Sequence, residues 1–185
     1  MACSDVDKLS SRPLENPLQW YAMKIRTGGE LRVAEGLSSR GYEIFVPTSV
    51  ESRRYSDRIK VIKAPLFPGY AFCRLDIERR LPILQSFGVD HFVGIGRVPV
   101  PIPDAEILAL HKVVASALPA QPWPYLAAGD QIHIQYGALT GLTGLLVSIK
   151  GAERLVLSVH LLQRSISVEI DRSWVRPALV KSNID

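Results

Sequence analysis

The sequence predicts an α+β protein in two parts: a sandwich of an antiparallel sheet with flanking helices, then a small β-barrel of the SH3-like type. Three observations carry this. Strand-period and helix-period segments alternate from Trp20 to Val114. The pattern then gives way to short strands punctuated by Gly137, Gly141 and Gly151. Between the two, Leu118 to Ala128 holds Pro119, Pro122 and Pro124 without periodicity and reads as a semi-rigid linker. The expected organisation is therefore a disordered tail (1–18), a first domain (19–117), the linker (118–128) and the barrel (129–180).

Within the first domain, Trp20 to Ile25 reads as a strand broken at Gly28-Gly29. Glu30 to Arg40 carries Leu31, Ala34 and Leu37 at helical spacing and stops at Gly41. Tyr42 to Val46 is a second strand. Arg53 to Lys63 reads as an exposed cationic hairpin or arm, with Ile59 and Val61 alternating against Arg58, Lys60 and Ile62. Pro68-Gly69 suits the central positions of a type II turn. The strand that follows has unequal faces, Tyr70 and Phe72 on one and Ala71 and Cys73 on the other. A helix from Ile77 to Phe87 is weakened by Pro82. Phe92 to Ile95 is a short strand, Pro99 to Pro103 is extended, and Asp104 is expected to cap an amphipathic helix carrying Ile107, Leu108, Leu110, Val113 and Val114.

The barrel strands are expected at Gln131–Gln135, Leu142–Lys150, Leu155–Leu162 and Ser165–Asp171, with Trp174-Val175 as a fifth. Alternation assigns Leu155, Leu157, Val159 and Leu161 to the core and Val156, Ser158, His160 and Leu162 to the other face.

Composition excludes several classes. A hydrophobic fraction of 47% supports a core-forming chain. The net charge of +4 permits nucleic-acid contact without demanding it. Its placement says more: residues 53–63 hold Arg53, Arg54, Arg58, Lys60 and Lys63 against Asp57 alone. Cys3 and Cys73 make neither a disulfide framework nor a metal-ligand spacing, which favours a reducing, cytoplasmic setting. The first 18 residues carry Asp5, Asp7, Lys8, Arg12 and Glu15 and no apolar run, so neither signal peptide nor membrane span is expected. His91, His111, His133 and His160 are scattered, no phosphate loop or nucleophile elbow occurs, and an enzyme is not expected. No cofactor or metal is expected either.

Four motifs in order resemble the NusG family of transcription elongation factors: Trp20-Tyr21, the run from Pro65 to Phe72, Phe92-Val93-Gly94, and the second domain. The last opens with Gly129-Asp130, contains a KOW-like run from Gly137 to Val147, and closes with the run from Leu161 to Asp171. The likeness spans residues 19 to 178. Ser56-Asp57-Arg58, the Pro65–Tyr70 run and the Gly88–Val93 stretch are closer to the operon-specific paralogues of the RfaH and UpxY types.

The resemblance implies that the first domain docks on the clamp helices of RNA polymerase. Tyr70 and Phe72 are then at the centre of the contact, with Phe67, Trp20, Tyr21 and Phe92 around or beneath them. It implies that Arg26 and the arm cations Arg53, Arg54, Arg58, Lys60 and Lys63 meet non-template DNA. It places Leu162 and Ile166 at the partner-binding position of the KOW barrel, the partner being ribosomal protein S10 or Rho. The implied factor is a monomer that suppresses pausing or termination. Some paralogues hide the polymerase face under an α-helical second domain, but Gly137, Gly141, Gly144 and many β-branched residues favour a standing barrel here. An RNA-binding or ribosome-associated KOW protein is the alternative.

Overall fold

The structure, a computed structural model, describes residues 17–54, 59–125, 129–149 and 152–177. Most of the tail and Arg58 lie outside the described residues. Of Arg53, Arg54 and Lys60 only the backbone is described.

Strand β1 (Gln19–Ile25) is followed by helix α1 (Glu30–Ser38) and strand β2 (Glu43–Phe45). Then come the hairpin β3 (Thr48–Arg54) and β4 (Ile59–Pro65), and strand β5 (Tyr70–Leu75). The region expected as one helix splits into a 3-10 turn (Ile77–Arg79) and a short helix α2 (Leu81–Leu84). Pro82 falls in the first turn of α2, where its missing N–H costs nothing. Strands β6 (Val89–Phe92), β7 (Gly94–Ile95), β8 (Val98–Pro99) and β9 (Pro101–Ile102) lead into helix α3 (Asp104–Ser116). Asp104 does not cap α3. Pro103 holds the cap position, and Asp104 and Glu106 lie in the first turn, where their charge suits the helix dipole.

The first sheet runs β2-β5-β1-β6, with β9 also paired to β1. Every pairing is antiparallel, as expected. Its two faces bury different cores. Tyr21, Met23, Ile25, Ala71 and Cys73 pack on Val33 and Leu37 of α1 and Ile83 of α2. Trp20, Ala22, Phe67 and Phe72 pack on Ile107, Leu110 and Val113 of α3.

The C-terminal β domain contains β10 (Ala120–Trp123), β11 (Asp130–Ile134), β12 (Thr143–Ile149), β13 (Ala152–Val159), β14 (Arg164–Ile170) and β15 (Val175–Pro177). Their order is β10-β14-β13-β12-β11-β15. Two expectations change here. The stretch expected as linker supplies β10, which pairs with β14 at the sheet edge, where proline is tolerated. The strand expected to reach Leu162 ends at Val159, and a 3-10 turn over His160–Leu162 breaks the alternation. Leu162 is therefore buried and Leu161 only partly so.

The β domain does not stand apart. Leu155, Leu162, Ile166 and Val168 belong to the same continuous core as Trp20, Phe67, Phe72 and the α3 residues, and α3 lies against β13.

Candidate polymerase and nucleic-acid surfaces

The turn before β5 is held from three sides. Tyr70 N–H donates to the Phe67 carbonyl at 3.0 Å, closing the turn around Pro68-Gly69. Gly69 sits at φ 82°, the left-handed region a type II turn requires at this position. A Cβ there would come within 2.9 Å of Lys24 Nζ and 3.2 Å of Thr27 Oγ1. The Gly69 N–H donates to Glu30 Oε1 at 2.6 Å, and Glu30 is only 3% exposed. A buried carboxylate from α1 thus anchors the turn that presents Tyr70. Sequence reasoning missed Glu30, because it read only as a helix-start residue 39 positions from its partner.

Tyr70 is half-buried, with Lys24 Nζ 4.3 Å and the Arg164 guanidinium 5.3 Å from its ring centroid. Lys24 comes from β1 and Arg164 from β14, so the ring stands where the two halves meet. Phe72 is fully buried. Phe67 meets it edge-on at 5.8 Å, and Phe45 lies 6.3 Å away. Phe45 in turn stacks on His111 of α3 at 3.7 Å, and Trp20 lies 6.1 Å from the same imidazole. Burial pushes the His111 pKa down, only partly opposed by Glu43, so the imidazole is neutral at pH 7 and stacks as an uncharged ring.

The six expected polymerase-contact residues do not share one face. Trp20, Phe67, Tyr70 and Phe72 lie on the α3 side. Tyr21 and Phe92 lie on the α1 side, packed edge to face at 6.3 Å. The cause is the alternation of β1: adjacent residues Trp20 and Tyr21 must point to opposite faces. All six except Tyr70 are buried.

Contacts between α3 and the β domain hold this arrangement closed. His160 Nδ1 lies 2.9 Å from Glu106 Oε1, and Lys112 Nζ donates to the Thr140 carbonyl at 3.2 Å. Leu162 and Ile166, expected at the barrel's partner surface, are buried in the shared core, with Ile166 at 0% exposure.

The cations divide into two regions. In the hairpin, Arg53 pairs in register with Lys60 and Val50 with Lys63. Lys63 is exposed. Arg26 lies elsewhere, at the end of β1, where its N–H donates to the Gly88 carbonyl at 3.0 Å. It lines a groove of about 650 Å³ together with Arg32, Arg40, Gly28, Gly29 and Phe87. Arg40 is held in place by Ser86 Oγ at 2.7 Å and the Pro82 carbonyl at 3.2 Å. The Phe87 ring is 86% exposed. Three guanidinium groups beside an exposed ring form a surface that can meet phosphate and stack on a base. Arg32, Arg40 and Phe87 were missed in sequence. Arg32 lies on α1, Arg40 two residues beyond its end and Phe87 far along the chain, so no spacing in the sequence joins them.

Among the described residues no group of His, Cys, Asp and Glu could hold a metal ion, and no helix is long and apolar enough to cross a membrane. Burial raises the Cys73 thiol to about 12, which disfavours the thiolate form.

Residues 18–111, half of the chain, match the family described as transcription termination factor NusG. The transcription termination/antitermination protein NusG of Thermus thermophilus is 26% identical over 179 residues, covering 85% of this chain and 97% of that protein. The protein of the same name from Campylobacter jejuni is 29% identical over 170 residues, covering 85% and 96%. Among solved structures, one titled "Domain interaction in Thermotoga maritima NusG" superposes with a TM-score of 0.53 at 20% identity, covering 86% of this chain and 96% of that one. The matched region contains the pinned turn, Tyr70 and the Arg26 groove, and the relatives extend the likeness through the β domain. The chain belongs to the NusG family.

Proposed function

We propose that the chain is a transcription elongation and antitermination factor that docks on the clamp helices of RNA polymerase around Tyr70 and rests on non-template DNA. The observation that carries this reading is the anchored turn. A buried carboxylate and a glycine at positive φ hold a half-exposed ring at a domain boundary, a costly arrangement for a residue with only a packing role. Tyr70 makes the contact, while Phe67, Phe72 and Trp20 support it from below. Covering such a ring is worth roughly 1.5–3 kcal/mol, and truncating an interface anchor of this kind often costs about 2 or more.

For DNA, the groove of Arg26, Arg32 and Arg40 with Phe87 is better suited to a displaced single strand than the hairpin alone. Arginine meets phosphate, and an exposed ring stacks on any base. The hairpin cations add a sequence-independent hold on the backbone. The second domain recruits a partner, ribosomal protein S10 or Rho. The factor works in the cytoplasm on a particular operon, as the likeness to the RfaH and UpxY types suggests.

In the closed arrangement the β domain adjoins the docking ring, so polymerase binding selects an opened state. The test is recovery of RNA polymerase from lysate on the tagged chain. Wild type recovers polymerase, Arg164→Ala recovers more, and Tyr70→Ala recovers none while still melting in a single cooperative transition. Recovery of ribosomal subunits in place of polymerase, unaffected by Tyr70→Ala, would overturn the proposal.

A further inference from the structure

The strand joining the two halves is built to let go. β10 lies at the edge of the C-terminal sheet, with Ala120 opposite Val168 and Trp123 opposite Ser165. One step further out, the Glu169 N–H donates to the Pro119 carbonyl at 3.3 Å. That bond sets the phase of the antiparallel ladder. Pairs 119/169, 121/167 and 123/165 exchange hydrogen bonds, while 120/168 and 122/166 do not. Pro119 has no N–H to return, and the ring nitrogen of Pro122 faces away from β14. β10 therefore donates to β14 only through Gln121 and Trp123. Beneath it, Ser167 is fully buried, and its Oγ has no hydrogen-bond partner among the described residues.

The same strand limits how far the halves can part. Only Ala117, Leu118 and Pro119 lie between the end of α3 and β10. Four Cα steps reach at most roughly 14 Å. While β10 stays paired, Ser116 and Ala120 cannot part by more than this, and a wider opening at this hinge unzips β10 and bares the β14 edge.

We propose that the β14 edge is an interaction surface for an extended peptide strand, with β10 as its resident occupant until the halves part. The segment that fits runs antiparallel to β14 and bonds to the backbone of Ser165, Ser167 and Glu169. It places a small residue opposite Val168, as Ala120 does, and a polar one opposite Ser167, as Gln121 does. An N–H at the position of Pro119 adds a bond that β10 cannot make, which gives an incoming strand its advantage. The proposal rests on the closed packing but not on what the Tyr70 surface binds.

The test uses the full chain with Cys3→Ser and a fluorescein-labelled peptide of residues 117–125 carrying Pro119→Ala, read by anisotropy against a scrambled peptide. Gln121→Pro removes one of the two β10 donors and is expected to bind the peptide at least tenfold more tightly than wild type. Ala120→Cys with Val168→Cys spans a pair without hydrogen bonds, about 4.5 Å between Cα atoms and within disulfide reach. Oxidised, it is expected to bind no peptide, and reduction with dithiothreitol restores wild-type binding. Equal binding by the oxidised and reduced forms overturns the proposal. So does an absence of binding to Gln121→Pro when its β14 amides exchange faster with deuterium than those of wild type. Should Gln121→Pro fail to fold, the oxidised and reduced pair decides alone. Polymerase is absent from every arm, so failure here leaves the Tyr70 reading untouched.

Discussion

Replacing Glu30 separates the two things its carboxylate does. The side chain is 3% exposed and accepts the Gly69 N–H at 2.6 Å, so it carries a desolvation cost and satisfies a buried donor. Glu30→Gln and Glu30→Met both remove the charge and keep length and volume close. Only Gln keeps an oxygen for the Gly69 N–H. The difference between them therefore isolates a buried N–H left without a partner, about 1–3 kcal/mol. For a chain of this size each kcal/mol shifts Tm by roughly 2–4 °C, so Met is expected to melt about 4–8 °C below Gln for a loss near 2 kcal/mol. Differential scanning calorimetry gives the melting temperatures, and deuterium exchange at Gly69 shows whether the local bond has gone. If Met melts at or above Gln while the Gly69 amide stays protected, the carboxylate is not the anchor of the turn, and Tyr70 is presented by other means.

Three further outcomes are expected. His111 has its pKa lowered by burial, so the unfolded chain takes up its proton first as pH falls. Stability contributed by the neutral ring is present above the unfolded value near 6.5 and declines as pH drops below it, and His111→Phe flattens that part of a Tm-against-pH curve. Gly137 sits at φ 81°, and a Cβ there would lie 2.9–3.1 Å from the Trp174 ring. Gly137→Ala is expected to cost about 1–3 kcal/mol and to red-shift tryptophan emission, while an unchanged melt would show that the loop yields freely. Cys73, with its thiol raised to about 12 by burial, is expected to resist iodoacetamide in the native chain and react fully in guanidinium, as read by peptide mass mapping.

What the sequence made legible was local. Pro68-Gly69 specified its turn because both residues act through their own φ, and the alternation of β5 put Tyr70 and Phe72 on one face and Ala71 and Cys73 on the other. Contacts distant in sequence were not legible. Nothing near Glu30 announces a donor at Gly69, and nothing near Tyr70 announces Arg164. Leu162 was misplaced because period-2 reasoning assumes that the strand continues, and the turn at His160 ends it. β10 was hidden because its prolines argue against a strand, a rule that relaxes at a sheet edge. The cationic window was visible in composition. The groove of Arg26, Arg32, Arg40 and Phe87 needed the fold to assemble it, since its members come from three separated segments.

The two cores of the first sheet differ in whom they answer to. The cluster on the α1 side is made wholly of residues from the first half, whereas the cluster on the α3 side is shared with the β domain. A chimera exchanging residues 129–177 for another small barrel would keep the first cluster intact as a scaffold. The α3 side would become a graft junction, and compatibility there would be settled by volume at a few shared positions, Leu110 and Leu162 among them.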